Sequence, residues 1–271
     1  MNGASREALA AARERLDALT DNTSVDAGRL ADELAAVTAL LDREVSLRRV
    51  LTDPAQAGEA KAELAQRLLG GQVGGETADL LAGMVRSRWS QSRDLVDALE
   101  ELADTADLTA AQKAGTLDDV EDELFRFGRI VSSNTGLRAA LTDRAATTSA
   151  KSALLRSLLG GRAKATTERL VTRLVTAPRG RSLESGLESL SKLAAERRQR
   201  LVAVVTTAVP LSDAQRRRLG AALGKLYGHT MHLNIDVDPE VVGGIRVQVG
   251  DEVINGSLAD RIEDAGRRLA S

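Results

Sequence analysis

A 25-residue stretch occurs twice in this chain, 90 residues apart, and nothing else restricts the fold as much. Leu47-Arg-Arg-Val-Leu-Thr-Asp runs on to Leu68-Leu69-Gly70-Gly71. Leu137-Arg-Ala-Ala-Leu-Thr-Asp runs on to Leu158-Leu159-Gly160-Gly161, and about half of the aligned residues are identical. The shared Leu-Thr-Asp predicts the end of a short helix. The shared Leu-Leu-Gly-Gly predicts a longer helix stopped by glycine. A period this long implies a duplicated domain, because solenoid units recur at roughly 20 to 50 residues.

The correspondence extends beyond that stretch. Leu80, Leu81, Met84 and Val85 parallel Leu170, Val171, Leu174 and Val175, and Leu95, Leu99 and Leu102 parallel Leu183, Leu187 and Leu190 after a two-residue slip. Upstream, Leu30, Leu34, Val37 and Leu41 share one helical face, as do Leu117, Val120, Leu124 and Phe127. Each copy therefore reads as a bundle of five or six amphipathic helices, the first over 1–105 and the second over 106–198. Asp104 to Lys113 contains no helix breaker before Gly115, so one helix can run through the junction.

From residue 199 to 271 the pattern changes to a small α+β domain. Val202, Val204 and Thr206 alternate in a strand that ends before Pro210, and Ser212-x-x-Gln215 is a capping box ahead of Leu219, Leu223 and Leu226. Leu233, Ile235 and Val237 form a second alternating set, and Ile245, Val247 and Val249 a third. Gly243-Gly244 precedes the third strand, where positive φ is expected. Gly250-Asp251 fits a hairpin into Glu252–Ile254, and Asn255-Gly256 is a turn before a helix over Leu258–Leu269 capped by Ser257. The predicted class is mainly α: two tandem helical bundles followed by a small α+β unit.

Composition narrows the functions open to such a chain. The formal net charge of −2 sets up no basic field for nucleic acid. Absent cysteine excludes disulfides and thiol catalysis. No run of eighteen apolar residues encodes a transmembrane helix, and the first residues lack a signal-peptide layout, so the expectation is a cytosolic protein or one held at a membrane by partners. With only four aromatic residues, the helical cores must be built from Leu, Val and Ala.

Candidate chemistry is sparse. His229 and His232 are the only histidines, and no third ligand accompanies them. Gly70-Gly71-Gln-Val-Gly74-Gly75 lacks the Gly-Lys-Ser/Thr ending of a phosphate loop and reads as a helix stop. Asp and Glu read as solvated helix faces able to pair with Arg four residues away. Arg216–Arg218 lie in the first turns of a helix, where positive charge is unfavourable, a point in favour of a carboxylate-rich partner. No cofactor, metal or catalytic residue is expected.

The segment Met231-x-Leu233-x-x-x-Val237-Asp238-x-x-Val241-x-Gly243-Gly244-Ile245-x-Val247-Gln248-x-Gly250, continuing to Asn255-Gly256-Ser257, resembles the C-terminal signature of the delta subunit of bacterial rotary ATP synthases. The oligomycin-sensitivity-conferring protein is the mitochondrial counterpart. The resemblance covers residues 200–271, with Gly243, Gly244, Gly250 and Gly256 as the signature turns. It implies a non-catalytic stator subunit of the peripheral stalk, peripheral at the cytoplasmic face of the plasma membrane and membrane-associated only through partners. Implied partners are the N-terminal segments of the alpha subunits and the C-terminal end of the b subunit. By position, the family's alpha-binding groove between first and fifth helices would involve Leu9, Leu16, Leu80, Met84 and Trp89, with an amphipathic helix laid in a groove. A second bundle departs from the usual single one and resembles an elongated actinobacterial form. A free-standing helical adaptor and a small hydrolase using acidic residues are the alternative readings.

Overall fold

The computed structural model describes residues 2–21, 25–199, 202–227, 231–238, 244–249 and 252–255. Contacts divide the chain into a helical unit, Met1–Ala194, and a second unit, Ala195–Ser271.

The helical unit opens with α1 (Gly3–Asp21), α2 (Ala27–Arg43), α3 (Val45–Thr52), α4 (Gly58–Leu69), α5 (Gly75–Arg86) and α6 (Ser92–Lys113). It continues with α7 (Leu117–Ser133), α8 (Thr135–Thr142), α9 (Thr148–Leu159) and α10 (Ala165–Thr176), followed by α11 (Leu183–Gln199). Helices α7–α10 repeat α2–α5 at an offset of 90 residues, with the same start and the same length in every case. The expected helix ends are where the repeat put them: α3 and α8 stop at Thr52 and Thr142, and α4 and α9 stop before Gly70 and Gly160.

The junction is one helix. α6 runs unbroken from Ser92 to Lys113 and stops at Gly115, whose φ of 69° only glycine adopts without strain. Shifting α1 by 90 residues lands on α6, and the buried positions coincide: Ala8, Leu9, Ala12 and Leu16 become Ala98, Leu99, Leu102 and Ala106, all buried. α6 is therefore the sixth helix of the first copy and the first helix of the second.

The first copy packs one apolar cluster, with Leu16, Leu34, Leu41, Leu51, Leu80, Leu95, Leu99 and Leu102 wholly buried. α2 lies along α6, and Ala31 on the one and Ala98, Ala103 and Ala106 on the other join the same core, with side chains small enough to allow close backbone approach. The second copy buries Leu124, Phe127, Leu155, Leu170, Val171 and Leu187 in the equivalent places.

One polar device is duplicated with the core. Glu33 on α2 accepts from the Gly74 N–H at 2.8 Å and from Thr77 Oγ at 2.5 Å, satisfying the start of α5. Glu123 on α7 does the same for α10, accepting from the Lys164 N–H at 2.9 Å and Thr167 Oγ at 2.5 Å. Burial pushes the Glu33 carboxyl up, but bonds from Thr77, Arg29 and Gly74 outweigh it and hold it below the usual glutamate range.

The second unit contains β1 (Val202–Thr207), α12 (Asp213–Tyr227), β2 (His232–Val237), β3 (Ile245–Val249) and β4 (Glu252–Asn255). Its sheet has the order β2-β1-β3-β4, with β1 and β2 parallel and the other pairs antiparallel. The parallel pair requires a crossover, which α12 supplies. Ala203, Val205, Val247 and Val249 form the buried face with Leu211, Leu223 and Met231. The capping box closes as its spacing predicts: the Ser212 N–H donates to Gln215 Oε1 at 2.9 Å, and the Gln215 N–H to Ser212 Oγ at 3.3 Å.

Candidate interaction faces

In the first copy α1 packs on α5 and α6. The residues expected to line the groove, Leu9, Leu16, Leu80, Met84 and Trp89, come together in one cluster, yet none is more than 8% exposed. They are buried members of the first copy's core. Trp89, just past α5, donates its indole N–H to the Met84 carbonyl at 2.7 Å, so its one polar atom is satisfied inside the core.

The outer side of α1 and α5 carries polar and small residues. Arg15 of α1 bridges to Asp79 of α5, and the half-buried Gly83 lies beside the Arg15 side chain, whose Cδ would be 3.8 Å from an added Cβ. Glu7, Ala10, Ala11 and Glu14 are exposed along α1. On the other side of α1, Arg13 Nε donates to Glu101 of α6 at 2.6 Å.

In the second copy the same face is filled. Arg173 of α10 donates to Asp104 Oδ1 at 2.6 Å and to Asp107 Oδ2 at 2.7 Å, both on α6. Arg169, one turn earlier, meets Asp107 Oδ1 at 2.6 Å and reaches Asp32 of α2 at 2.7 Å. Arg179, in the loop after α10, pairs with Glu100 and lies 3.4 Å from Asp97, and Arg181 donates to the same Glu100 carboxylate at 2.5 Å. Arg179 holds a φ of 47°, an uncommon conformation for a side-chain-bearing residue that these bonds help to hold in place. Burial pushes the Asp104 carboxyl up to about 7 against the pull of Arg173, and Asp107 is raised for the same reason.

The sequence does not disclose these pairs, because i,i+4 spacing names only partners on the same helix. Such pairs exist, as Arg29 with Glu33 and Arg126 with Asp122, but the buried arginines reach a helix some 66 to 79 residues away. The available signal was the 90-residue offset, which lays the acidic Glu7, Glu14 and Asp17 over Asp97, Asp104 and Asp107.

A second surface feature lies between α7 and α11. It is a groove of about 710 Å³ with Leu124, Gly128 and Leu187 among its lining, flanked by the exposed Phe125 and Ile130 and by Glu188.

In the second unit Gly244 has a φ of 113° at the entry to β3, as expected for that turn. Gly243, Gly250, Gly256, His229 and the predicted helix over 258–269 lie outside the described residues. Among the described residues no three His, Cys, Asp or Glu side chains are grouped to hold a metal, and no helix is long and apolar enough to cross a membrane.

The sequence profile of the family "ATP synthase delta (OSCP) subunit" matches residues 105–269, a span that begins within α6 and takes in the second copy and the C-terminal unit. Over its full length the chain is 84% identical to "ATP synthase subunit delta" of Streptomyces coelicolor, covering 100% of this chain and 99% of that protein. The protein of the same name from Thermobifida fusca is 49% identical over 270 residues, 100% of both chains. Among solved structures, a chain of the Toxoplasma gondii mitochondrial ATP synthase hexamer is 21% identical, covers 62% of this chain and 95% of that one, and gives a TM-score of 0.33. With relatives aligned over the whole chain, first copy included, and the second copy and signature domain matched by the profile, the chain belongs to the ATP synthase delta (OSCP) subunit family, a component of the enzyme's peripheral stalk.

Proposed function

We propose that the chain is the non-catalytic stator subunit that joins the alpha subunits of the catalytic head to the b subunit of a proton-translocating ATP synthase. In this role it works at the cytoplasmic face of the plasma membrane and is held there by its partners. The observation that carries the reading is full-length identity of 84% to a protein named ATP synthase subunit delta.

The build suits a load-bearing part. A stator must resist torque without yielding, and stiffness comes from packed helices without a flexible linker between them. The shared α6 and the arginines fastened to it supply this between the two copies. We assign the alpha contact to the helical bundles, with Leu9, Leu16, Leu80, Met84 and Trp89 as the floor beneath the docking face, and the b contact to the C-terminal unit. The second bundle, 106–198, serves to lengthen and stiffen the connection.

The test is affinity purification of the tagged full chain from detergent-solubilised membranes. Alpha and b should co-purify, and substitutions exposed on the sheet unit should release b while retaining alpha. Recovery of the chain without either subunit would overturn the assignment. For the second bundle, an in-frame deletion of 106–193 joins Thr105 to Ala194 in the register set by the two-residue slip. This variant should assemble but couple ATP hydrolysis to proton pumping less efficiently; unchanged coupling would remove the stiffening role.

A further inference from the structure

The closing helices of the two copies differ in what meets them. α6 closes the first copy, and its Glu100 is buried under two cations of the second, Arg179 and Arg181. α11 closes the second copy, and the two-residue slip lays Glu188 over Glu100. No third copy follows, because the chain continues into the α+β unit. In a series of repeats each unit covers the one before it, and the last exposes what a successor would have covered. Glu188 is exposed, and among the described residues no cation pairs with it. Glu184, one turn earlier, is met by Arg138 at 3.3 Å.

The apolar positions beside that carboxylate differ in the same way. In the first copy Ala35 and Leu40 of α2 pack against the core. Ninety residues on, α7 has Phe125 and Ile130 in their places, 58% and 52% exposed. Both line the groove between α7 and α11, together with the buried Leu124 and Leu187 and with Glu188 on the α11 side. Arg129 lines the α7 side where the first copy has Ala39. It too is exposed, and among the described residues no carboxylate pairs with it. Single exposed apolar residues are ordinary on a protein surface, but two along one groove between unanswered charges mark a contact.

We propose that the α7/α11 groove docks a segment of a neighbouring subunit of the enzyme. The segment brings a pair of cations to Glu188, an apolar side chain to Phe125 and Ile130, and a carboxylate to Arg129. The cation pair follows from the first copy, where Arg179 and Arg181 share the Glu100 carboxylate, and the acid follows from the charge of Arg129. Opposite charges on the two walls fix the register and direction of whatever lies between them. The contact rests on the reading of the chain as a stator subunit, and it gives the second bundle an anchoring point of its own.

The test uses the assembled enzyme, purified from membranes with p-benzoylphenylalanine in place of Phe125 of the full chain. After irradiation the adduct is mapped by mass spectrometry. It should join position 125 to one segment of a neighbouring subunit, with Lys or Arg spaced like Arg179 and Arg181. Glu188→Lys and Arg129→Glu should each lower the adduct yield roughly tenfold, while the melting curve of the isolated chain stays unaltered. No adduct in an enzyme that retains alpha and b overturns the inference and leaves the stator reading standing. So does an adduct within this chain or to a second copy of it, one to a segment without cations, or an unchanged yield in both charge variants. Absence of alpha and b from the purified material overturns both.

Discussion

Asp104 and Asp107 fasten the second copy to the first, and their environment gives them a measurable signature. Burial raises the Asp104 carboxyl from an ordinary 3.8 to about 7, so between those limits the folded chain holds a proton that the unfolded chain has released. Stability from this group is fully present below the lower value and is lost as pH rises through the upper one. The melting temperature of wild type relative to Asp104→Asn should therefore fall steadily from pH 4.5 to pH 7.5 in thermal scans. A flat difference would mean that Asp104 is not buried as described. Leu80, Leu81, Met84 and Val85 were legible as core residues from their helical apolar spacing. The arginine partners were not, because a charge on a helix surface looks solvated until the facing helix is known, and nothing local in the sequence names that helix.

At the level of the element, α2 to α5 and α7 to α10 could be placed from the repeat, since apolar spacing and glycine stops are local signals. The caps supplied from another helix were not visible. Glu33 and Glu123 each reach across 41 to 44 residues to satisfy the start of α5 and α10, and a lone glutamate in an amphipathic helix gives no sign of doing so. Replacing either with Ala leaves a helix start without its acceptor and should cost about 1–2 kcal/mol in urea denaturation. The two variants should lose similar amounts, because their hydrogen bonds match within 0.1 Å. A cost in only one would show that the duplicated geometry is not matched in energy. In the C-terminal unit, strict alternation placed three strands and the Gly250-Asp251 turn the fourth, and the parallel pairing of β1 with β2 in the structure is explained by the helix between them.

At the scale of the helical unit the consequence is cooperativity. Two bundles in sequence are, in space, two bundles through one α6, and Ala106 is buried on the stretch that serves both. Ala106→Pro removes a helical hydrogen bond and strains the preceding turn, at a cost of about 3 kcal/mol or more. Amide hydrogen exchange of the full chain should show α2 and α10 losing protection together. Loss confined to one of them would mean that the copies unfold independently.

The shared helix also sets the terms on which such a chain can grow. The first copy takes residues 3 to 113 to complete six helices, whereas the second completes its six with only five new ones by reusing α6. Reach is thus added in increments of one repeat period and inherits the angle of the helix it starts from. An insertion within α6 of any length that changes its helical phase would swing the apolar faces of one copy out of line with the other. Natural length variants of this subunit should consequently differ by whole copies, or by changes confined to loops, and spare the interior of α6.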